Sequence, residues 1–327
     1  MPTTVPDAVL RAFELAGATT TQFERGLINR HWLATDGERR VVLRQYNQLR
    51  SKEGIRWEQA LVERAADAHW PVPRPLASNT GQLVFEHGRS LWAAAPFLEG
   101  EPQAEPGPAM FNIVGRLLGR LHHDLAGFET EGQRPGFGKT WELDAWIAPA
   151  GVGSFNEVLA RFSSEYSELG ATIRGYRYRN LRELSRLHYP DLPDLPVHGD
   201  FQRSNLLWQE GQLTGLLDFD FARRDALACD LAVLLVPFEP LETRLARALF
   251  EGYGTVRELS EIEWALLPSL ARAHLLLWVA LLLVGWRTGA NPTAVASIER
   301  TMTLRLPALE AAEAGFLQLR RNVSERR

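Results

Sequence analysis

The sequence predicts an α+β protein in which a small, strand-rich N-terminal part precedes a larger, mainly helical part. In the first hundred residues, three short runs cluster or alternate apolar side chains as strands do, and one amphipathic helix lies among them. After Pro108 the pattern is mainly helical up to about His198. A chain of 327 residues with 45% hydrophobic composition is long enough for two lobes and too apolar to be disordered.

The first predicted strand covers Arg39–Tyr46, where side chains alternate between two faces. Arg44 and Tyr46 share one of these faces. The first predicted helix covers Glu53–Trp70, and Pro71 ends it because proline cannot continue a helix. The apolar stripe of this helix consists of Trp57, Leu61, Val62, Ala65 and Ala66.

Two further strand-like runs complete the predicted sheet. They are Gln82–Phe85 and Leu91–Phe97, and the turn-forming segment Glu99–Pro102 follows them. The segment Glu99–Pro102 breaks the predicted sheet; the resemblance described below implies a hinge between the two parts near Ala95–Gly100.

The segment His198–Asn205, together with Asp218, carries the clearest chemical signal in the chain. Asp200 and Asn205 are five residues apart, and Asp218 lies thirteen residues after Asn205. This order and spacing match a phosphoryl-transfer loop in which the Asp accepts a hydroxyl proton and the Asn reaches a magnesium ion. The later Asp would then be the main metal ligand. The alternative is an Asx turn at Asp200 and an ordinary capping role for Asp218, which leaves the joint spacing unexplained.

The residues between Asn205 and Asp218 explain how the two could meet. Leu206–Trp208 and Leu213–Leu217 flank the glycine-containing turn Gln209–Gln212, a pattern that predicts a β-hairpin. Residues equidistant from the turn lie opposite each other in an antiparallel pair, and Asn205 and Asp218 are equidistant from the gap between Gly211 and Gln212. The hairpin is therefore expected to bring them together at its open end. There they would supply the hard oxygen ligands that magnesium prefers, with water and ATP phosphates in the other positions.

These motifs resemble those of the aminoglycoside phosphotransferase family. The resemblance spans roughly residues 20 to 290, in the order of the family, and implies a protein-kinase-like two-lobe fold. It divides the chain into an ATP-binding lobe at residues 1–97 and a catalytic and substrate-binding lobe at 98–327. A weaker likeness, at Ala271–Ala273, is to type II homoserine kinases and a bacterial stress-response kinase. Besides the catalytic segment, the matching segments are Val72–Pro75, Leu118–His122 and Asp225–Ala232.

The resemblance implies transfer of the γ-phosphoryl group of ATP to a hydroxyl of a small molecule, such as an aminoglycoside, an amino alcohol or a sugar-like acceptor. It implies that Asp200 orients and deprotonates the acceptor, and that Asn205 and Asp218 hold Mg²⁺. Catalysis of this kind is mostly positioning and electrostatic stabilisation, so each of these residues should matter strongly.

The resemblance also implies three nucleotide-binding residues in the small lobe. Arg44 stands where most of the family has lysine, and Glu58 would orient it from the neighbouring helix. Glu58 shares the inward stripe of that helix, where a carboxylate needs a partner; the alternative is a solvated Glu at the edge of the stripe. Phe97 belongs to the expected hinge, whose main-chain groups would bind the adenine edge. Arginine is not a neutral exchange for lysine, so Arg44 is the clearest departure from the family.

The sequence leaves open the roles of other residues near these motifs. Arg25–Asn29 resembles the turn that covers the phosphates, although it has only one glycine. Asp220 is either a second metal contact or a cap at the end of the hairpin. Arg203 either stabilises transferring charge or an anionic acceptor, or is a solvated loop arginine.

We expect structural rather than chemical roles for His198, Asp230, His122 and His123. His198 is expected to pack and hydrogen-bond within the loop rather than to transfer protons. By resemblance, Asp230 would accept hydrogen bonds from main-chain amides of the loop. His122 and the following His123 lack metal-ligand spacing to other His or Cys residues, which favours packing at the end of a helix.

Gly138–Thr140 ends like a Walker A loop but does not match the motif. The required earlier glycine would stand at position 133, which is Gln133, and no apolar strand leads into the segment. A connecting loop is the better interpretation.

Composition excludes several functional classes. The formal net charge of −4 argues against a nucleic-acid-binding protein, whose footprint would be basic. The single cysteine, Cys229, excludes an internal disulfide and a cysteine-based zinc cluster, as in a reducing cytoplasm. No signal peptide is recognisable, and the longest apolar stretch, Leu275–Trp286, is too short to cross a bilayer. We predict that this stretch is a buried helix of the larger part. We therefore expect a cytoplasmic enzyme without a membrane partner, whose oligomeric state the sequence leaves open.

Two alternatives to a small-molecule kinase remain at this point. A protein serine/threonine kinase is one, but no activation-loop motif is recognisable between Asp218 and Asp230. A nucleotide-binding pseudokinase is the other, and only Arg44 favours it.

Overall fold

A computed structural model describes residues 4–23, 29–102, 107–128, 132–235 and 243–324 of the chain. Within these residues the expected α+β architecture is confirmed, with a small antiparallel sheet followed by a mainly helical part. The elements of the N-terminal part are α1 (Asp7–Ala12), β1 (Thr19–Gln22), β2 (Arg30–Asp36), β3 (Arg39–Gln45), α2 (Lys52–Asp67), β4 (Phe85–His87) and β5 (Ser90–Pro96).

The five strands form one antiparallel sheet in the order β1-β2-β3-β5-β4. Strand β3 lies at its centre, paired with β2 on one edge and with β5 on the other. The prediction of a strand at Gln82–Phe85 is wrong in its position, because β4 begins only at Phe85. A turn occupies the preceding residues, where Ser78 N donates to Gln82 O at 2.8 Å and Gly81 has a φ of 76°. Sequence reasoning also missed β1, β2 and α1.

Helix α2 packs its apolar stripe into the molecule, as predicted. Ser51 caps its N-terminus by accepting a hydrogen bond from Gly54 N at 3.0 Å. The helix ends at Asp67, three residues before the predicted end at Trp70, because His69 turns into a left-handed conformation with a φ of 64°. The chain thus leaves the helix before Pro71 and not at it.

The C-terminal part begins with a strand and continues mainly as helices. Its elements are β6 (Glu101–Pro102), α3 (Pro108–Leu125), α4 (Leu143–Ile147), α5 (Phe155–Glu165), α6 (Ser167–Arg186), β7 (Leu195–Val197), β8 (Leu206–Gln209), β9 (Gln212–Leu216), β10 (Arg223–Asp225), α7 (Ala228–Leu234), α8 (Thr243–Gly254), α9 (Glu261–Thr288), α10 (Ala294–Arg300) and α11 (Leu306–Ser324).

The strands of this part form two small sheets. Strands β6, β8 and β9 form one, and β7 pairs with β10 in the other. The chain therefore leaves the N-terminal sheet at Pro96 and joins a different sheet at Glu101. Gly100 allows the change of direction, since its φ is 126° and a Cβ there would lie 2.3 Å from Thr214 Oγ1. The switch of sheets agrees with a lobe boundary near residues 97 and 98.

The apolar stretch Leu275–Trp286 belongs to a much longer helix than the sequence indicated. Helix α9 has 28 residues and, by length and composition alone, could cross a bilayer. The prediction that the stretch is too short to span therefore does not hold for the whole helix. However, 78% of the most apolar window of α9 is buried inside the protein, where it forms the core of the helical part. The prediction of a buried helix is confirmed.

Candidate active site

The β8–β9 hairpin positions the residues at its open end. The predicted hairpin is present, but its turn is centred between Glu210 and Gly211, one residue earlier than the expected gap between Gly211 and Gln212. The pairing also shifts by one residue between Leu207 and Trp208. As a result Asn205 pairs with Leu217, whose N donates to Asn205 O at 2.8 Å, and Asp218 follows one position later. The predicted register, with Asn205 opposite Asp218, is therefore wrong by one residue, although the two remain neighbours.

Asp230 holds the start of the catalytic loop, as the family resemblance implied. This fully buried carboxylate accepts hydrogen bonds from His198 N at 2.8 Å and Gly199 N at 2.6 Å. It also contacts Nε2 of His122 at 3.1 Å, which makes His122 part of the loop support and not only of helix-end packing. Gly199 is required here because its φ is 79° and a Cβ would lie 2.1 Å from Phe221 O.

His198 stabilises the loop as a neutral side chain. Burial lowers the pKa of His198 to about 4. Its Nε2 donates to Leu217 O at 3.0 Å, so Nδ1 is the acceptor for Asp200 N at 3.3 Å. The imidazole thus connects the catalytic loop to the end of β9, as predicted for a structural residue.

Asp200 lies in a half-buried position that raises its proton affinity. Burial, followed by repulsion from Asp218, raises the pKa of Asp200 to about 7. Two side-chain amides oppose this effect: Asn205 Nδ2 donates to Oδ2 at 3.0 Å, and Gln202 Nε2 donates to Oδ1 at 2.5 Å. A carboxylate with such a pKa is suited to accept a proton near neutral pH.

Asp218 has an unusual backbone conformation and a carboxylate with a raised pKa. Its φ of 62° is left-handed, which is uncommon outside glycine and is often found at functional sites. Burial and the charge of Asp220 raise the pKa of Asp218 to about 6. A bound cation would lower the pKa of Asp218 again, because it stabilises the charged carboxylate.

The donor set fits a magnesium site that the substrate completes. Asn205 Nδ2 donates to Asp200 O at 2.8 Å as well as to its carboxylate, so Oδ1 of Asn205 is the atom suited to a metal. Among the described residues, no cluster of three or more His, Cys, Asp or Glu could hold a metal. Magnesium typically uses one or two carboxylates together with phosphates and water, which agrees with Asp218 plus one amide oxygen.

Arg44 points toward the catalytic part of the molecule and pairs with Glu58, as predicted. Its Nη1 donates to Glu58 Oε1 at 2.9 Å, and its Nη2 donates to Asp220 Oδ1. Burial by itself lowers the pKa of Arg44, but the two carboxylates outweigh this effect and raise it. The ring of Tyr46 lies 4.5 Å from the guanidinium carbon on the same strand face. Arg44 therefore joins the β-sheet, α2 and the loop after Asp218.

Asp220 is part of this ion cluster and is almost completely buried. Its Oδ1 accepts from Arg44, and its Oδ2 accepts from Asn29 Nδ2. Although burial raises the pKa of Asp220, the surrounding arginines, Arg44 first, lower it, so the residue stays charged. Both oxygens are thus engaged by protein groups, which favours the structural alternative for Asp220 over a second metal contact. Asn29 is described, whereas the rest of the expected phosphate-covering turn, residues 25–28, lies outside the described residues.

Phe97 directly follows β5, in the connection between the two sheets. Its N donates to Arg40 O at 3.1 Å, and the guanidinium carbon of Arg40 lies 4.3 Å from its ring centroid. The amide of Phe97 is therefore occupied within the sheet, and its carbonyl is the group suited to adenine.

Arg203 and Thr140 both pack against neighbouring residues. The Nη1 atom of Arg203 is buried, and the guanidinium carbon lies 5.7 Å from the ring of Phe111. This geometry does not support a freely solvated arginine. Thr140 is also buried and donates from N at 2.9 Å and from Oγ1 at 2.8 Å to Asp225. Its segment is thus a packed connection without a phosphate-binding role.

Sequence reasoning missed Arg134, which contacts both Glu58 and the main chain after Asp218. A lone arginine in the loop segment Gln133–Phe137 gives no sequence signal, since its partners are main-chain oxygens and a side chain from distant segments.

Comparison with known proteins agrees with this geometry. The family model described as "Phosphotransferase enzyme family" matches residues 19–265. The homoserine kinase of Polaromonas naphthalenivorans (strain CJ2) is 31% identical over 255 residues, which covers 76% of this chain and 76% of the relative. The homoserine kinase of Rhizobium rhizogenes (strain K84) is 30% identical over 302 residues, covering 89% of each chain.

The fold is also found among solved structures. An amicoumacin kinase in complex with AMP-PNP, Ca²⁺ and Ami superposes with a TM-score of 0.68 at 17% identity, covering 92% of this chain and 91% of that chain. At this identity the likeness concerns the fold alone. The family model, which matches most of the chain, and the two relatives at 30% identity or more establish the classification: the chain belongs to the phosphotransferase enzyme family.

Proposed function

We propose that the protein transfers the γ-phosphoryl group of ATP to the hydroxyl of a small amino alcohol, with homoserine as the first candidate. The observation that carries this proposal is the position of Asp200, half-buried near Asp218, held by the Asn205 amide and with a pKa raised to about 7. The two curated relatives bear the name homoserine kinase, which supports an amino alcohol over a protein acceptor.

In the proposed reaction the acceptor oxygen attacks the γ-phosphorus, the bond from this phosphorus to the β–γ bridging oxygen breaks, and ADP leaves. Asp200 orients the hydroxyl and takes its proton. Arg44, held by Glu58 and Asp220, binds phosphate oxygens as a fork of donors. The carbonyl of Phe97 contacts the adenine edge.

Asn205 and Asp218 are the residues that would hold Mg²⁺, which neutralises phosphate charge when it is bound. The use of a nucleotide with a divalent cation is supported by the AMP-PNP and Ca²⁺ of the amicoumacin kinase. We assign residues 1–97 to the ATP-binding lobe and 98–327 to the catalytic and acceptor-binding lobe. We further propose a cytoplasmic location, in agreement with a single buried cysteine.

The direct test is Mg²⁺-dependent formation of ADP with homoserine, ethanolamine, an aminoglycoside, a sugar and a generic protein as acceptors. Homoserine should give a phosphate ester that ³¹P NMR detects. 2-Aminobutyrate, which has the same backbone but no hydroxyl, is the matched control and should give none. Phosphorylation of the protein substrate alone would favour a protein kinase, and ATP binding without turnover on any acceptor would favour a pseudokinase.

The same assay tests the assignment of the base. Asp200→Asn should fold and bind ATP like the parent, because Asp200 contacts the acceptor and not the nucleotide. Its kcat should fall by about a hundredfold or more. Near-normal turnover in this variant would show that Asp200 is not the base.

A further inference from the structure

Arg134 connects two elements that the proposed mechanism needs in a defined arrangement. It is fully buried although its guanidinium is permanently charged. On α2, its Nε donates to Gly54 O at 3.0 Å and its Nη2 donates to Glu58 Oε2. Its Nη1 faces three carbonyl oxygens of the loop after Asp218, at 3.0 to 3.1 Å; they belong to Phe219, Asp220 and Ala222.

The chain segment that carries Arg134 is itself held in place. Gln133 Nε2 donates to Arg224 O at 2.7 Å, and Gln133 Oε1 accepts from Arg224 N at 2.8 Å and from Arg134 N at 3.0 Å. The ring of Phe137 packs 4.0 Å from the Arg134 guanidinium carbon. This segment is thus anchored at β10, and the Arg134 side chain points from it toward α2 and the loop after Asp218.

Helix α2 is adapted to this contact. Gly54 lies inside the first turn of the helix, where glycine is unfavourable. A Cβ at this position would lie only 2.8 Å from Pro135 O. The absence of a side chain therefore allows the segment that carries Arg134 to lie directly against the helix.

Two of the partners of Arg134, Glu58 and Asp220, are also the residues that hold Arg44. Glu58 gives one oxygen to Arg134 and the other to Arg44, and Asp220 gives its carbonyl to Arg134 and a carboxylate oxygen to Arg44. A displacement of Arg134 would therefore also disturb Arg44, to which we assign phosphate binding, and the loop that begins with Asp218.

We propose that Arg134 is a positioning residue that locks α2 and the loop after Asp218 together in the arrangement required for binding of Mg·ATP and phosphoryl transfer. This role rests on the proposed function, because it assigns nucleotide binding to the elements that Arg134 joins. Lysine would keep the charge at this site but could not bond Glu58 and three carbonyls at once, since it lacks the planar fork.

The test compares Arg134→Lys and Arg134→Ala with the parent in steady-state kinetics and in calorimetric titration with Mg·ATP. Both variants should raise the KM and Kd for Mg·ATP by about tenfold or more and lower kcat, while the KM for the acceptor changes by less than about twofold. Methylguanidinium added to Arg134→Ala should restore part of the Mg·ATP affinity, whereas NaCl at the same ionic strength should not. This rescue separates positioning from a general loss of stability.

Two further variants complete the experiment. Gly54→Ala leaves the arginine in place but pushes Pro135 away, and should raise the KM for Mg·ATP in the same direction with a smaller effect. Arg272→Lys is the matched control: Arg272 pairs with Glu183 and Glu313 in the helical part, so this variant should lower Tm without changing the KM for Mg·ATP.

Parent-like Kd and kcat in Arg134→Lys would overturn the proposal, and so would a loss of kcat with unchanged Mg·ATP affinity and no rescue. The proposed function fails separately, if the parent binds Mg·ATP but phosphorylates no acceptor. In that case the calorimetric comparison still decides the role of Arg134.

Discussion

Asp200 is half-buried near a second carboxylate, yet two side-chain amides donate hydrogen bonds to it. Burial and the charge of Asp218 favour the protonated form of Asp200, while the amides of Asn205 and Gln202 favour the carboxylate. The net effect is a pKa near neutrality, where a small change in the surroundings alters the fraction of active base.

This balance predicts a pH dependence. Only the carboxylate form of Asp200 can accept a proton, so kcat/KM should fall as the pH falls through about 7, the pKa raised by burial and Asp218. Higher Mg²⁺ should move this acidic limb to lower pH, because a cation at Asp218 removes the repulsion that raises the Asp200 pKa. The measurement is kcat/KM between pH 5 and 9 at two Mg²⁺ concentrations, and a profile that is flat below pH 7 would contradict the assignment.

Arg44 stands where the family resemblance implies a lysine, and its contacts use the fork of an arginine. Its two terminal nitrogens reach Glu58 on α2 and Asp220 in the loop after Asp218. A single ammonium group would hold both carboxylates less well, since it lacks the fork of donors.

We therefore expect Arg44→Ala to weaken ATP binding strongly and to slow transfer. Arg44→Lys should keep measurable activity, because it retains the cation that the family uses. Titration with ATP and single-turnover transfer measure the two effects. If Arg44→Ala binds ATP as tightly as the parent, the nucleotide role of Arg44 is wrong and the pseudokinase alternative gains support.

At the scale of elements, the packing of α3 against α8 positions a histidine that supports the catalytic loop. The two helices meet at glycines: a Cβ on Gly115 would lie 2.0 Å from Leu249 O, and one on Gly252 would lie 2.0 Å from Asn112 O. This close packing places His122 of α3 between Tyr253 Oη, at 2.9 Å, and Asp230.

Gly115→Ala should consequently destabilise the protein by about 1 to 3 kcal/mol, because the added methyl group overpacks a helix–helix contact. Gly175→Ala is the control, since Gly175 lies on the exposed face of α6 with nothing within 4 Å of its Cβ position. That change should stabilise the protein by roughly 0.5 to 1 kcal/mol, through helix propensity. Urea denaturation measures both, and an unchanged midpoint for Gly115→Ala would show that the helices can separate without cost.

At the scale of the whole molecule, the two parts of the chain meet through charged groups near the proposed nucleotide site. Arg44 and Asn29 come from the N-terminal part, and both contact Asp220 of the C-terminal part. A ligand that binds between the two parts should stabilise both together, because binding to the folded state shifts the unfolding equilibrium.

ATP with Mg²⁺ should therefore raise Tm in one cooperative transition, and by more than ATP alone. Asp218→Asn should remove most of the additional effect of Mg²⁺, because the amide lacks the charge that the metal requires. Differential scanning calorimetry with and without Mg²⁺ gives the comparison. An equal Mg²⁺ effect in the parent and in Asp218→Asn would place the metal elsewhere.

The sequence by itself determined the α+β class, the catalytic-loop motif and the family resemblance. These features are local: strand and helix periodicity act over a few residues, and the spacing of Asp200, Asn205 and Asp218 is set by one loop and one hairpin. The pairing of Arg44 with Glu58 followed from the family resemblance, supported by the inward position of Glu58, where a carboxylate needs a partner. Errors arose where local signals are weak, as in the hairpin register and the end of α2.

Only the tertiary structure decided which buried groups lie around those motifs. Arg134 bonds to main-chain oxygens more than 80 residues away in sequence, and carbonyl groups have no sequence signature. The engagement of Asp220 by Arg44 and Asn29, and the raised pKa of Asp200, likewise depend on segments that are distant in the chain. The physical reason is that burial and hydrogen bonding between remote segments arise from the packing of the whole chain, which no local pattern of residues records.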